Sequence, residues 1–421
     1  MNKPAKQPAK NGRDIMKPVM PYGKYLGPLK DLAQEVIMAS ASLEGRIAPR
    51  TAMVLGNKLC LLNSFYSNLI EGHKTFIPDI EKALANDFSE NAQERYAQEL
   101  CSTHVRAERA LMKLVLDGDI ENVSAPAFLK QIHGEFYSHL PPEHQFTHEA
   151  GGFTDIEVRP GQFRDLEVAV HLDAGTHGPN HKDLHQEIDQ FSTDYDSRQV
   201  HGDERLIAMA SAHHQLTWLH PFRDGNGRVC RLHSGLFMAR AGINKGNLWS
   251  LSRGLSRAKT EYMMNLFSVN PAPNDTPEDL NERLADFCEF FLEVCLDQIN
   301  FIKKQLRLEK IESRIEWFVS ERSAKDEMPQ SSSRLLRALF MQGNVKRGEV
   351  PSILNTSETT SRRTVRKLTD LGLVTSTSHR APLTVGLPTY ALAYYFPSLY
   401  IPELLGSKFI ETIAKTVTGS E

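Results

Sequence analysis

Apolar residues along most of the chain recur three and four positions apart, the spacing of helices buried along one side. Leu29, Leu32, Ala33, Val36 and Ile37 predict a helix over about 29–47. Leu59, Leu62, Tyr66, Leu69 and Ile70 predict a second over about 57–70, with Gly72 placed as the left-handed residue after its end. Helical patterning runs through 91–140, where Val123-Ser124-Ala125-Pro126 reads as an N-cap followed by Pro in the first turn. Pro141-Pro142 then stops the pattern. Leu206, Ile207, Ala210 and His214 predict a helix that leads up to His220. Val229, Leu232, Leu236 and Ala239 predict the next, and 280–308 reads as one long amphipathic helix with Phe287, Phe290 and Phe291 in the core.

Two stretches depart from this texture. Ile156 and Val158 alternate, Pro160-Gly161 supplies a turn, and Leu166, Val168 and Val170 alternate again, which predicts a β-hairpin. Residues 171–203 hold five histidines but no spacing typical of zinc ligands, and read as a polar loop. Near 323–333 the chain turns polar and reads as a linker. Beyond it, helices are expected at 334–341, 347–354 and 360–371, then a strand, a loop over 376–382 and a return at 383–387. Arg362, Arg363, Arg366 and Lys367 stud the third of these helices. The arrangement resembles a winged helix, which serves either DNA binding or protein docking; basic residues on one helix suit phosphate and base contacts.

Length and composition bound these readings. A chain of 421 residues suggests two or three domains. The divisions expected are a flexible basic tail (1–25), an N-terminal helical region (26–90), a catalytic core (91–310), the linker (323–333), the winged-helix-like domain (334–395) and a C-terminal tail (396–421). A net charge of −3 argues against binding polyanions by bulk charge, though not against local basic patches. Five Cys without a Cys-x-x-Cys pair read as free thiols in a reducing compartment. With no apolar run long enough for a membrane span, the expected location is cytoplasmic.

The chemistry concentrates in His220-Pro221-Phe222-Arg223-Asp224-Gly225-Asn226-Gly227-Arg228-Val229-Cys230-Arg231. Gly-Asn-Gly can hold a tight turn, and the helix that follows presents free N–H groups and a positive dipole end to anions. Arg228 and Arg231 share one face of its first turn and offer two forks to phosphate. Asp224 beside such a nest is a natural Mg²⁺ ligand, and His220 stands where a general base would. Each part alone reads more simply as a turn, a helix end or a solvated face. Glu71 is a further oddity, because a carboxylate at a helix C-terminus faces the negative dipole end. Either it is exposed and screened, or it pairs with an Arg elsewhere.

In fixed order, the run matches the whole signature of the Fic family, His-x-Phe-x-(Asp/Glu)-Gly-Asn-Gly-Arg-x-x-Arg, without a departure. Ser67-Asn68-Leu69-Ile70-Glu71-Gly72 is similar to the family's inhibitory motif. The resemblance implies a mainly α Fic-fold domain with a β-hairpin flap, here joined to a C-terminal winged helix-turn-helix domain. It implies a protein adenylyltransferase that moves AMP from ATP to a Ser, Thr or Tyr hydroxyl of a target protein, or of itself. His220 would be the base, Asp224 the Mg²⁺ ligand and Phe222 the anchor of the loop. Gly225, Asn226, Gly227, Arg228 and Arg231 would hold the phosphates. Glu71, supported by Ser67, would restrain the reaction by occupying Arg231. Gly161, Phe163 and Arg164 resemble the flap's target-docking residues. Ser250, Ser252, Arg253 and Tyr262 match the family's downstream pattern, while Met263 stands in place of a second Tyr. AMP removal on the same fold, a different phosphate donor, and a DNA-binding regulator whose core senses nucleotide remain alternatives. A homodimer is a further expectation.

Overall fold

The computed structural model describes residues 18–148, 155–166, 178–272 and 274–399. Helices dominate, as the spacing of apolar residues requires. The first group is α1 (Leu26–Glu44), α2 (Pro49–Ile70), α3 (Ile77–Leu84), α4 (Ala92–Asp117) and α5 (Pro126–Tyr137). A short antiparallel pair follows, β1 (Phe146–His148) and β2 (Asp155–Glu157). Then come α6 (Leu184–Asp194), α7 (Glu204–Leu219), α8 (Asn226–Arg240), α9 (Leu251–Arg257), α10 (Lys259–Ser268), α11 (Pro277–Gln305) and α12 (Leu308–Ser323). The chain continues through α13 (Ser332–Gln342), β3 (Asn344–Val345), α14 (Val350–Leu354), α15 (Glu358–Asp370), β4 (Val374–Thr375), β5 (Leu383–Val385) and α16 (Thr389–Tyr395). Among the described residues, no helix is long and apolar enough to cross a membrane.

Two long helices frame everything else. α11 packs on α1, α7 and α9, and its Phe287 and Phe291 are fully buried. α2 packs on α4 and α9, and its far end reaches the C-terminal unit. There α13 and α15 stand against a three-stranded antiparallel sheet in the order β3-β5-β4, with α14 packed on both helices. The buried Thr51 of α2 donates to the Phe340 carbonyl of α13 at 2.8 Å, so the joint between the two units is close-packed.

Several boundaries move from the sequence expectation, each for a physical reason. α2 begins eight residues before the expected 57, because Pro49 sits in its first turn and its N-terminal half is covered by the C-terminal unit. Ser124 does not cap α5. Ala125 holds that position without a side-chain bond, and the buried Ser124 hydroxyl lies 3.2 Å from His233 Nε2. The hairpin forms one arm earlier than expected: Ile156 faces Thr147, in a register that pairs Phe146 with Glu157. The return expected at 166–170 lies outside the described residues apart from Leu166, which is in no strand. Within the supposed polar loop 171–203, Leu184, Ile188 and Phe191 are buried on one side of α6; His171 and His177 lie outside the described residues. The single helix expected over 280–308 ends at Gln305, and α12 follows it after a break at Leu306. The linker shrinks accordingly, and its Met328 is buried. Of the basic tail, 18–25 is packed: the Tyr22 N–H donates to Asn281 Oδ1 at 3.0 Å and the Tyr195 hydroxyl to the Val19 carbonyl at 2.7 Å. Residues 1–17 lie outside the described residues, as do 400–421 of the expected C-terminal tail, but Phe396 and Leu399 are buried.

Candidate functional site

The site is a corner between two helices. α7 stops at His220, whose backbone is left-handed at φ 46° and ψ 59°. α8 starts after Gly225, also left-handed at φ 76°. A Cβ on Gly225 would meet the Tyr137 ring at 2.6 Å, so conformation and space both require glycine. The loop between is nailed down by Phe222. This side chain is fully buried and stacks on the His133 ring, with centroids 4.1 Å apart and planes 10° apart. Asn226 turns its amide back into the loop, accepting from the Phe222 N–H at 2.9 Å and donating to the Phe222 carbonyl at 2.8 Å. Its side chain is therefore a brace for the turn, which leaves its backbone N–H as the group that the expected phosphate role would use. No side chain caps α8, so its first N–H groups face the cleft at the positive dipole end.

The two arginines are buried and each meets a carboxylate. Arg228 Nη2 lies 3.1 Å from Asp224 Oδ2 and 3.1 Å from the Tyr137 oxygen, while the Tyr137 hydroxyl donates to the same Asp224 oxygen at 2.6 Å. The guanidinium sits 4.9 Å from the centroid of the Phe136 ring. Its Nε and Nη1 are buried without a hydrogen-bond partner, an unmet capacity at the heart of the site. Burial lowers the basicity of Arg228, but the surrounding Tyr137, Asp224 and Glu71 outweigh it and raise its pKa. Burial pushes the Asp224 carboxyl up. Arg228 and the Tyr137 hydrogen bond outweigh it and leave the pKa below the ordinary value.

The Arg231 side chain is fully buried and is held from one side by α2. Its Nε donates to Ser67 Oγ at 2.9 Å, and its Nη2 donates to the Ser67 carbonyl at 3.0 Å and to Glu71 Oε1 at 2.6 Å. For Glu71 the largest influence is burial, which raises its pKa; the charges of Arg231 and Arg228 overcome it and leave the carboxyl below 4.5. The end of α2 sets this reach. Glu71 is its C-cap, Gly72 adopts φ 92°, and the His73 N–H returns to the Asn68 carbonyl at 2.9 Å. The Glu71 carboxylate lies directly above the Gly227 Cα, where any side chain would collide with it. An internal anion thus covers the first turn of α8. Burial holds His104 and His233 down at about 3, so the positive charge here belongs to the two arginines.

Beside this corner opens a cleft of about 190 Å³, in which His220, Gly227 and Arg231 face an apolar side formed by Ile70, Met263 and Leu266. The three residues read as target-docking sit behind the loop. The Gly161 N–H donates to His133 Nδ1 at 2.9 Å, and Phe163 packs on Phe222 with centroids 5.3 Å apart. Arg164 is 3% exposed; its Nε donates to the His220 carbonyl at 2.8 Å and its backbone N–H to the Pro221 carbonyl at 2.8 Å. A residue so buried cannot dock a partner directly; it fixes His220. Sequence reasoning missed Tyr137, His133 and Lys259, whose Nζ donates to the Ile70 carbonyl at 2.6 Å. Their contacts span 28 to 189 residues, and no local spacing signals them.

Asp224 suits a divalent cation in one respect. Its hydrogen bonds with Tyr137 and Arg228 both fall on Oδ2, and its side chain is 41% exposed. Among the described residues no group of three or more His, Cys, Asp or Glu could hold a metal. A single carboxylate fits Mg²⁺ that takes its remaining oxygens from water and substrate phosphates.

The model of the Fic/DOC family matches residues 123–238. The chain is similar in fold to a Fic family protein from Desulfovibrio desulfuricans G20, at 15% identity and a TM-score of 0.52, covering 89% of this chain and 99% of that one. A Fic domain containing signaling protein from Bacteroides thetaiotaomicron VPI-5482 matches at 14% identity and a TM-score of 0.49, covering 64% and 95%. Fic-1 from C. elegans matches at 16% identity and a TM-score of 0.44, covering 67% and 72%.

Proposed function

We propose that this chain, whose residues 123–238 form a Fic domain, is a protein adenylyltransferase restrained by its own Glu71. Fic domains generally transfer nucleotidyl or other groups to proteins, and the finer assignment rests on the corner. The observation that carries it is the Glu71 carboxylate seated over the first turn of α8 and bonded to Arg231 at 2.6 Å. A site that accommodates one anion there is shaped for another, and phosphate is the stronger ligand of a helix N-terminus flanked by two arginines.

In the reaction proposed, a target hydroxyl oxygen attacks the α-phosphorus of ATP in line. A new P–O bond forms, the bond to the α,β-bridging oxygen breaks, and pyrophosphate leaves with that electron pair. His220 takes the hydroxyl proton, held in place by the bond from Arg164 to its carbonyl. The α8 N–H groups and Arg228 bind phosphate oxygens; Arg231, once released from Glu71, binds the distal phosphate and steadies the leaving group. Mg²⁺ bound at Asp224 would supply charge neutralisation across the phosphates. The apolar side of the cleft suits the adenine, with Met263 where an aromatic residue was expected.

The test is direct. With Mg²⁺ and a lysate as acceptor, label from α-labelled ATP is expected to enter protein, label from γ-labelled ATP is not, and His220→Ala removes incorporation. Transfer of the γ-label would overturn the reaction. Loss of label from pre-labelled protein, without gain, would favour AMP removal instead.

A second reading concerns the C-terminal unit. Its three helices and β3-β5-β4 sheet have the order of a winged helix. Ser361, Thr364, Val365 and Leu368 are buried, which leaves Arg362, Arg363, Arg366 and Lys367 exposed on α15. We infer that this face binds duplex DNA through phosphate contacts. A mobility shift of the full chain whose affinity does not fall with salt would remove that reading.

A further inference from the structure

We propose that Lys259 is a positioning residue of the restraint, pinning the Glu71 end of α2 to the apolar side of the cleft. The inference rests on the autoinhibitory reading of Glu71 and deepens it. Lys259 is the first residue of α10, where a cation faces the positive end of its own helix dipole. Nothing in α10 calls for a lysine there. Its Nζ instead reaches across to α2 and donates to the Ile70 carbonyl at 2.6 Å. Ile70 is the last residue of α2, and its carbonyl is one of the orphan acceptors at the negative end of that helix. The bond therefore suits α2 as much as it fails to suit α10, and a charged donor there is among the stronger hydrogen bonds.

The position matters because of what lies on either side. Glu71 follows Ile70 directly, so the carbonyl that Lys259 holds belongs to the peptide unit that leads into Glu71. Toward α10, Met263, Leu266 and Phe267 lie four to eight residues on and line the cleft with His220 and Arg231. A single hydrogen bond thus couples the apolar side of the cleft to the end of α2. The left-handed Gly72 that follows leaves the helix end few other ties, its own bonds being those of Gly72 to the Leu69 carbonyl and of His73 to the Asn68 carbonyl. With the lysine removed, Glu71 keeps its partner Arg231 but loses the fixed backbone from which it reaches.

The experiment is a double-mutant cycle on AMP incorporation with the full chain. Lys259→Met is expected to raise incorporation about five- to tenfold in the otherwise native protein, less than for a fully buried charged hydrogen bond because this one is partly exposed. Lys259→Arg restores the restraint. In the Glu71→Gly background Lys259→Met has no effect on incorporation beyond twofold, and Tm falls by no more than about 3 °C, the scale of one partly exposed hydrogen bond. Equal changes in both backgrounds, in either direction, would show that Lys259 acts on nucleotide or fold and overturn the proposal, as would no change in the native background. If Glu71→Gly alone fails to raise incorporation, the autoinhibitory reading itself is what falls.

Discussion

Two helices of this protein carry arginines at close spacing, and they treat them in opposite ways. At the start of α8, Arg228 and Arg231 are 4% exposed, and each is matched to a carboxylate within hydrogen-bond reach. On α15, Arg362, Arg363 and Arg366 stand in solvent, and Arg362 pairs with the exposed Glu358 one turn away. Burial is the difference that matters. A guanidinium out of water needs a counter-charge, so α8 has recruited one from its own loop and one from α2. On the function proposed above, phosphate would take the place of Glu71 at Arg231. A solvated arginine needs no such partner and meets whatever anion arrives, with an affinity governed by salt.

The comparison can be broken most sharply by removing Arg231. In the Glu71→Gly background, Arg231→Ala is expected to cut AMP incorporation by about 100- to 1000-fold, as for loss of a preorganised transition-state donor. Arg366→Ala is expected to leave it within twofold. Parallel losses from both helices would erase the distinction. Stability separates them next. Arg228→Ala leaves Asp224 and Tyr137 facing each other without their cation and costs about 3 kcal/mol in denaturant melts, the low end for a broken buried pair because Asp224 keeps some access to water. Arg363→Ala is expected to move Tm by no more than about 2 °C. Binding sharpens the contrast from the other side: Arg362→Ala with Arg366→Ala should reduce the salt slope of duplex binding by about 2, one for each phosphate left without its arginine.

The smallest expected effect is that of pH. The Glu71 carboxyl titrates below its ordinary value of 4.5, so its pairing with Arg231 is fully present above that value and disappears only as pH falls through the lower folded-state value. Between about pH 6 and 9 the ratio of Glu71→Gly to native incorporation should therefore stay flat, while both rates follow the protonation of the base. A ratio that collapses toward neutral pH would mean that Glu71 is not held as a carboxylate.

Much of this corner was legible in the sequence because its parts are local. The loop from His220 to Gly225, the start of α8 and the C-terminal end of α2 are written in residues that set turns and helix ends. Other features were not legible because they depend on distant partners. That the Asn226 side chain braces the turn shows only once Phe222 is seen to occupy both ends of its amide. Arg164 looks like a docking residue until burial ties it to His220 and Pro221. α6 hides behind a run of histidines, and the partner of β2 lies upstream because strand pairing is chosen by neighbours, not by the alternation of one strand.

The central claim is that Glu71 occupies Arg231 in place of phosphate. It is tested most directly by AMP incorporation from α-labelled ATP with Mg²⁺, measured for the native protein and for Glu71→Gly at equal concentration. The account predicts that the variant incorporates roughly 10- to 100-fold more label, the factor expected when a competing interaction of about 1.4–2.8 kcal/mol is removed. Equal or lower incorporation by Glu71→Gly, in a protein that still folds and binds ATP, would contradict it.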